Sequence, residues 1–259
     1  MTSDGIKYLS FECDEPDIDH GTAVAGIYMH YGHCTVQLYD FRCIPGRPDQ
    51  ALEKLVQDPQ FQDVDIVNMS FGGDNLPHDE IARYKTCIQN LSERCILVAA
   101  AGNCGSRELE AIQLPASRDG VIAVGAHNDY GKLVEFSSTG RKVEFTCPGE
   151  NIATVDPKGK EISMSGTSFA APMAGAFMSH VLAVADALEG PELRQKLTHS
   201  EVMSKLCVKM CERGIHQSDG TGYGKLQPNK HGVFDNSDKA KFLILFIKDA
   251  IREATGINV

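Results

Sequence analysis

Basic residues are outnumbered in this chain of 259 residues. It has 25 Lys and Arg against 35 Asp and Glu, which gives a formal net charge of −10. A protein that binds nucleic acid or an anionic membrane surface must offer cations to phosphate groups. The charge balance therefore argues against both kinds of partner.

Long hydrophobic runs are also lacking. The longest candidate, residues 173–188, is interrupted by Ser179, His180 and Asp186, so nothing approaches the ~20 apolar residues of a membrane-spanning helix. The first five residues have neither the basic start nor the apolar run of a secretory signal. We therefore expect no membrane partner and a cytoplasmic location, unless the chain is truncated at its N-terminus.

The nine cysteines are odd in number and include no Cys-x-x-Cys pair, so we expect reduced thiols in an intracellular protein. Cys207 and Cys211 are four residues apart on a predicted helix, where one packed face is a commoner arrangement than a metal pair. His30 and His33 form an equally weak pair. We expect no metal site and no cofactor, and the sequence indicates no particular oligomeric state.

Apolar runs alternate with amphipathic segments, and 42% hydrophobic residues suffice for a sizeable core. Six runs predict strands: Ile6–Phe11, Cys34–Phe41, Asp65–Met69, Ile96–Ala101, Val121–Ala126 and Lys142–Thr146. Three segments show helical spacing: Thr22–His30, Pro48–Val56 and His78–Glu93. This alternation predicts an α/β fold with a mostly parallel sheet covered on both faces, and function at the carboxyl ends of its strands.

Three short segments fall at those ends, and each has an ordinary structural interpretation when taken alone. His20 could be a capping or core histidine, and Asn103 could be a turn residue after a buried strand. Ser168 could cap a long apolar helix whose first turn tolerates Pro172.

Together the three side chains supply the parts of a nucleophilic mechanism. A serine hydroxyl is a poor nucleophile until an imidazole accepts its proton. The oxyanion that then forms needs fixed donors, here the Asn103 amide and the Ser168 backbone N–H at a positive helix end.

The same segments recur with two others in a known order: His20–Gly26 (HGTAVAG), Val67–Gly73 (VNMSFGG), Ala100–Asn103 (AAGN), Gly166–Pro172 (GTSFAAP) and Gly222–Leu226 (GYGKL). Over about residues 6–228 the chain resembles the subtilisin-like serine peptidases, or subtilases (peptidase S8). The resemblance implies a three-layer α/β/α fold. It implies a catalytic domain at residues 1–229, incomplete at its N-terminus, and a tail at 230–259.

The resemblance also implies the roles of the site residues. His20 is the general base, Ser168 the nucleophile and Asn103 the oxyanion donor of a serine endopeptidase. An extended polypeptide substrate would pair as an added strand with Ser70, Phe71, Gly72 and Gly73. Ala101 and Gly102 would form the other wall of the main side-chain pocket, and the small residues on both walls predict a pocket open to apolar or bulky side chains.

The family's aspartate is missing from its expected place, the end of an early strand well upstream of the histidine. Ile6–Phe11 aligns better with the strand that follows, so the aspartate strand should precede Met1 and its absence should leave a gap in the sheet. Asp14, Asp17 and Asp19 are more typical of solvated loop charges. Loss of that aspartate costs serine proteases about 10⁴-fold in kcat.

A tail segment is a less probable source of the missing strand. Residues 241–249 form an apolar run that ends in Asp249, which could take the strand's place and deliver its carboxylate to His20. Against this, Ser237 is a good N-cap and helix formers continue from Lys239 to Ala254, so a C-terminal helix packed on the domain is the preferred prediction.

Two functions follow from these patterns. The first is a serine endopeptidase that forms an acyl-enzyme on Ser168. The second is a catalytically silent or severely impaired subtilase-fold domain that binds peptides or a protein partner. The retained His20, Asn103 and Ser168 favour the first, and the missing aspartate favours the second.

Overall fold

A six-stranded sheet organises the part of the chain that the computed structural model describes, residues 7–12, 20–32, 37–42, 47–73, 76–105, 112–211, 222–226, 248–249, 251–253 and 256. The strands are β1 (Lys7–Glu12), β2 (Gln37–Arg42), β3 (Ile66–Met69), β4 (Ile96–Ala100), β5 (Ile122–His127) and β6 (Val143–Pro148). Their spatial order is β2-β1-β3-β4-β5-β6, and every neighbouring pair is parallel. The six predicted strands and their parallel arrangement are confirmed.

β1 occupies an interior position in this sheet. Tyr8 pairs with Leu38 of β2 on one side and with Ile66 of β3 on the other. The predicted gap between strands is therefore wrong for the described sheet, because β1 itself fills the position between β2 and β3. An apolar run identifies a strand but carries no information about its neighbours, which is why the sequence misplaced it.

Helices cover both faces of the sheet. They are α1 (His20–Tyr31), α2 (Pro48–Gln57), α3 (His78–Ser92), α4 (Thr167–Glu189), α5 (Pro191–Leu197) and α6 (Ser200–Met210). On one face α1, α4 and α6 pack with Ile66, Val98 and Val124. On the other, α2 and α3 pack with Val67 and Leu97. The alternation of neighbouring strand residues between the two clusters confirms the predicted three-layer α/β/α architecture.

An antiparallel hairpin that the sequence did not predict lies against α1. Its strands are β7 (Ile152–Val155) and β8 (Glu161–Met164). The Thr154 hydroxyl donates to the Ala23 carbonyl at 2.5 Å, and a Cβ added to Gly26 would lie 2.6 Å from that hydroxyl oxygen. The small residues of α1 therefore let the hairpin approach its backbone closely.

α4 runs through the core. Among the described helices it alone is long and apolar enough to cross a membrane, yet 78% of its most apolar window is buried inside the protein. Pro172 is its sixth residue, so the prediction of a proline in the first turn is wrong. Inside a helix a proline leaves the carbonyl four residues earlier without its usual partner, here that of Ser168.

Buried thiols surround the sheet. Cys87, Cys95, Cys147, Cys207 and Cys211 are free and buried. Desolvation raises the pKa of Cys87 to about 11 and that of Cys95 to about 12. Cys207 and Cys211 belong to the core cluster under α4, in agreement with the prediction of one packed face.

A buried ion pair ties the start of β3 to α5. Both oxygens of Asp65 accept hydrogen bonds from the Arg194 guanidinium, each at 3.1 Å, and the carboxylate also accepts from the Lys7 backbone N–H at 2.8 Å. Asp65 is only 5% exposed, and burial raises its pKa despite these bonds. The charged form of Asp65 therefore depends on Arg194.

Arg194→Met should lower the free energy of unfolding by about 3 kcal/mol near pH 7, because it leaves a buried carboxylate without its cation. A carboxyl group whose folded pKa is raised loses stability as pH rises through that pKa, so the deficit should shrink toward pH 4, where Asp65 can be protonated. Urea unfolding at both pH values measures it. Lys205→Met, which breaks an exposed pair with Glu201, is the control and should change little. A deficit independent of pH would contradict this interpretation.

Candidate active site

The N-terminus of α4 places Ser168 near the ends of β3 and β4. Ser168 is the second residue of the helix and is half-buried. N–H groups in the first turn of a helix have no partner within the helix, so this end can receive a negatively charged oxygen.

The carbonyl that Pro172 leaves free is bound from the sheet. The Ser70 hydroxyl, just beyond β3, donates to the Ser168 carbonyl at 2.7 Å. The same hydroxyl accepts from Asn68 Nδ2 at 2.9 Å. Ser70 thus supplies the hydrogen bond that proline cannot, and it fixes the helix end that carries Ser168. Its side chain serves this internal contact.

Asn103 is anchored to the same helix end from β4. Its Oδ1 accepts from the Thr167 backbone N–H at 2.9 Å and from the Thr167 hydroxyl at 3.0 Å. The Thr167 hydroxyl oxygen in turn accepts from the Gly102 N–H at 3.2 Å. With the oxygen held, the Asn103 amide nitrogen lies on the side of Gly166, 3.5 Å from where a Cβ on that glycine would be.

Thr167 was not singled out in the sequence, although it is buried at the centre of these contacts. Its position between Gly166 and Ser168 could have indicated this role. The first residue of a helix needs a hydrogen-bond acceptor from outside the helix for its N–H, and Asn103 supplies it here. A hydroxyl that both donates and accepts links the end of β4 to α4.

His20 reaches the same place from α1. It is the first residue of that helix and half-buried, and its ring centroid lies 5.6 Å from that of Phe169 at an interplanar angle of 57°. Phe169 directly follows Ser168. The three predicted catalytic residues therefore lie on segments that meet around the first turn of α4.

Comparison with known proteins identifies this arrangement. The sequence profile of the subtilase family (peptidase S8) matches residues 12–224, which is most of the chain. The chain belongs to the subtilase family. The interior β1, the Ser70–Ser168 contact and the capped helix therefore belong to a member of this family.

Its relatives are serine proteases. The major intracellular serine protease of Bacillus subtilis (strain 168) is 36% identical over 148 residues, which are 56% of this chain and 44% of that protein. Subtilisin DY of Bacillus licheniformis is 28% identical over 207 residues, 75% of this chain and 74% of that protein. The chain thus spans less than half the length of the first of these relatives.

Solved structures agree on the fold. The prenylagaramide maturation protease PagA superposes with a TM-score of 0.71 at 21% identity, covering 95% of this chain and 94% of that one. At this identity the likeness concerns the fold alone.

The two predicted substrate walls of this subtilase are tied to the same helix end. One wall, Ser70–Gly73, is bound to Ser168 through Ser70, and the other, Ala101–Gly102, is bound to Thr167 through Gly102. The gap between the walls therefore opens beside Ser168. Ala101 and Gly102 already use their backbone groups within the fold, so this wall offers a packing surface.

Residues 112–114 close the gap at its far side. The Gln113 N–H donates to the Ala101 carbonyl at 3.1 Å, while Leu114 and Gly73 exchange two backbone hydrogen bonds at 3.1 and 3.2 Å. The Gln113 side chain lies between the walls, which the prediction of an open pocket had not included. A glutamine in a loop carries no local signal of such a role.

Of the aspartates named in the sequence analysis, only Asp249 can be placed. Asp14, Asp17 and Asp19 lie outside the described residues. Residues 248–249 and 251–253 are helical, and Asp249 is exposed and paired with Arg252 at 3.3 Å, so the idea of a strand that delivers Asp249 is wrong. Ile251, on the same helical segment, is buried in the core cluster that contains α4.

Cys104 lies next to Asn103 and is exposed. Its N–H donates to the Ser138 hydroxyl at 3.2 Å. Within the described ranges no group of three His, Cys, Asp or Glu side chains could hold a metal ion.

Ser70→Ala should lower the free energy of unfolding by about 1–2 kcal/mol, because the Ser168 carbonyl then has neither a hydroxyl nor a helical N–H as partner. In a Pro172→Ala background the loss should be smaller, since residue 172 now supplies that N–H. Urea unfolding of the four proteins in this double-mutant cycle measures the coupling. Ser163→Ala, on the exposed strand β8, is the matched serine control. If the two substitutions have additive effects on the free energy of unfolding, Ser70 does not replace the N–H that Pro172 lacks.

Proposed function

We propose that this subtilase is a serine endopeptidase that hydrolyses peptide bonds through an acyl-enzyme on Ser168. The observation that carries the proposal is the capped end of α4. There the Asn103 oxygen is held by Thr167, which leaves the amide N–H groups beside the residue that would attack the substrate. A pre-oriented donor of this kind stabilises charge that develops only during the reaction.

The first half of the reaction forms the acyl-enzyme. His20 accepts the proton of Ser168 Oγ as that oxygen attacks the scissile carbonyl carbon. The tetrahedral oxyanion accepts hydrogen bonds from Asn103 Nδ2 and the Ser168 backbone N–H. The C–N bond then breaks, His20 returns its proton to the leaving amine, and the acyl group remains on Ser168.

The second half repeats the steps with water. His20 accepts a proton from water as its oxygen attacks the acyl carbon, and the same donors hold the second oxyanion. Breakdown of this intermediate returns a proton to Ser168 Oγ and releases the carboxylic acid product.

The polypeptide substrate would lie as an extended strand beside Ser70–Gly73. Both backbone polar groups of Gly73 are bonded to Leu114. Backbone pairing with the substrate would therefore involve Ser70, Phe71 and Gly72, with Gly73 as the end of the wall. A cytoplasmic location fits this enzyme, since one matched relative is named an intracellular serine protease.

A silent peptide-binding domain is the second candidate function. Such a domain would bind extended peptides beside Ser70 and leave them intact. Labelling of the serine by an active-site reagent separates the two functions.

Labelling by a fluorophosphonate probe should be fast for the wild type and absent from Ser168→Ala and His20→Ala. Asn103→Asp keeps the oxygen that caps α4 but loses the donor, so peptide hydrolysis should fall at least about 10²-fold in kcat with the fold retained. Ser163→Ala is the control for serine loss. A folded wild type that binds peptides without labelling would instead establish the silent domain.

A further inference from the structure

The gap between the two substrate walls has a side chain at its floor. A Cβ added to Gly72 would lie 2.8 Å from both Gln113 Cβ and Gln113 Oε1. A Cβ added to Gly102, on the opposite wall, would lie 3.0 Å from Gln113 Oε1 and 3.1 Å from Cγ. One glutamine side chain therefore touches the backbone of both walls, and each wall is glycine where it does so.

The backbone holds this side chain in place from both sides. Gln113 is hydrogen-bonded to Ala101, and the next residue, Leu114, is hydrogen-bonded to Gly73. Gly102 has φ of +114°, a conformation that favours glycine over other residues, so this wall is shaped for the close approach. Gln113 thus stands on a short bridge between the walls and cannot move away as a whole without breaking these bonds.

We infer that Gln113 forms the floor of the pocket that receives the substrate side chain on the acyl side of the scissile bond, and that it restricts this pocket to short side chains. The inference rests on the proposed function, because the gap lies beside Ser168 and both walls are bonded to the first two residues of α4. Gln113 is a specificity-determining residue, with no part in the bond-breaking steps.

The chemistry of the floor supports this selection. An aromatic or long aliphatic side chain that entered between Gly72 and Gly102 would have to displace the glutamine or bury its amide without hydrogen bonds, and both are costly. A methyl or hydroxymethyl group would stop short of the amide. The floor carries no charge, and neither wall contains an acidic residue that would attract Lys or Arg.

Two p-nitroanilide tetrapeptides that differ only in the residue next to the scissile bond, Ala or Phe, test the inference. The wild type should cleave the Ala substrate with at least about 10-fold higher kcat/KM. Gln113→Gly should raise the Phe-to-Ala ratio about 10-fold or more, and Gln113→Ala, which keeps the Cβ against Gly72, should raise it less. Gln57→Gly, at the exposed end of α2, should leave the ratio unchanged.

Binding by the Ser168→Ala protein separates this inference from the proposed function. Fluorescein-labelled tetrapeptides that end in Ala or Phe would be titrated against Ser168→Ala with and without Gln113→Gly, with thermal unfolding as the check on folding. The Ala peptide should bind more tightly, and Gln113→Gly should reverse the order. This result would support the pocket even if the wild type fails to label. Equal ratios with and without Gln113 would overturn the inference, even in a protein that labels fully.

Discussion

The carbonyl of Ser168 is the point on which the candidate active site depends. Pro172 deprives it of a helical partner, and the Ser70 hydroxyl provides one from the end of β3. One residue earlier, Thr167 is bonded to Gly102 and Asn103 beyond β4. Because β3 and β4 are neighbours in the sheet, two consecutive residues of α4 are fastened to two adjacent strand ends. Ser168, the proposed nucleophile, therefore lies at a hydrogen-bonded junction between helix and sheet.

This junction also determines the shape of the proposed substrate site. The wall at Ser70 and the wall at Gly102 are extensions of the same two strands, so bonding them to α4 sets the gap between them. The bridge through Gln113 then closes that gap from the far side. In the proposed function, recognition of a substrate falls to the segment Ser70–Gly72 and to the pocket floor at Gln113. The proposed reaction and the proposed pocket therefore depend on the same internal hydrogen bonds.

The first strand, β1, lies inside the sheet, between β2 and β3. A missing strand would have exposed polar edges in the middle of the sheet, which is costly in a buried position. Instead β1 pairs on both sides, with β2 and with β3. The family's aspartate motif alone is therefore a poor guide to the place of β1, because strand neighbours are set by packing in the sheet.

The family, the six strands and the three candidate catalytic residues could be predicted from the amino-acid sequence, since they depend on local composition: apolar runs, and a histidine, asparagine and serine each set among small residues. Three features became visible only in the tertiary structure: the strands that flank β1, the partner of the Ser70 hydroxyl and the side chain between the two walls. Ser70 binds Ser168 although 98 positions separate them in the chain, and Gln113 reaches Gly72 from the connection between β4 and β5. Contacts of this kind arise from packing at the carboxyl ends of parallel strands, and no periodicity along the chain encodes them.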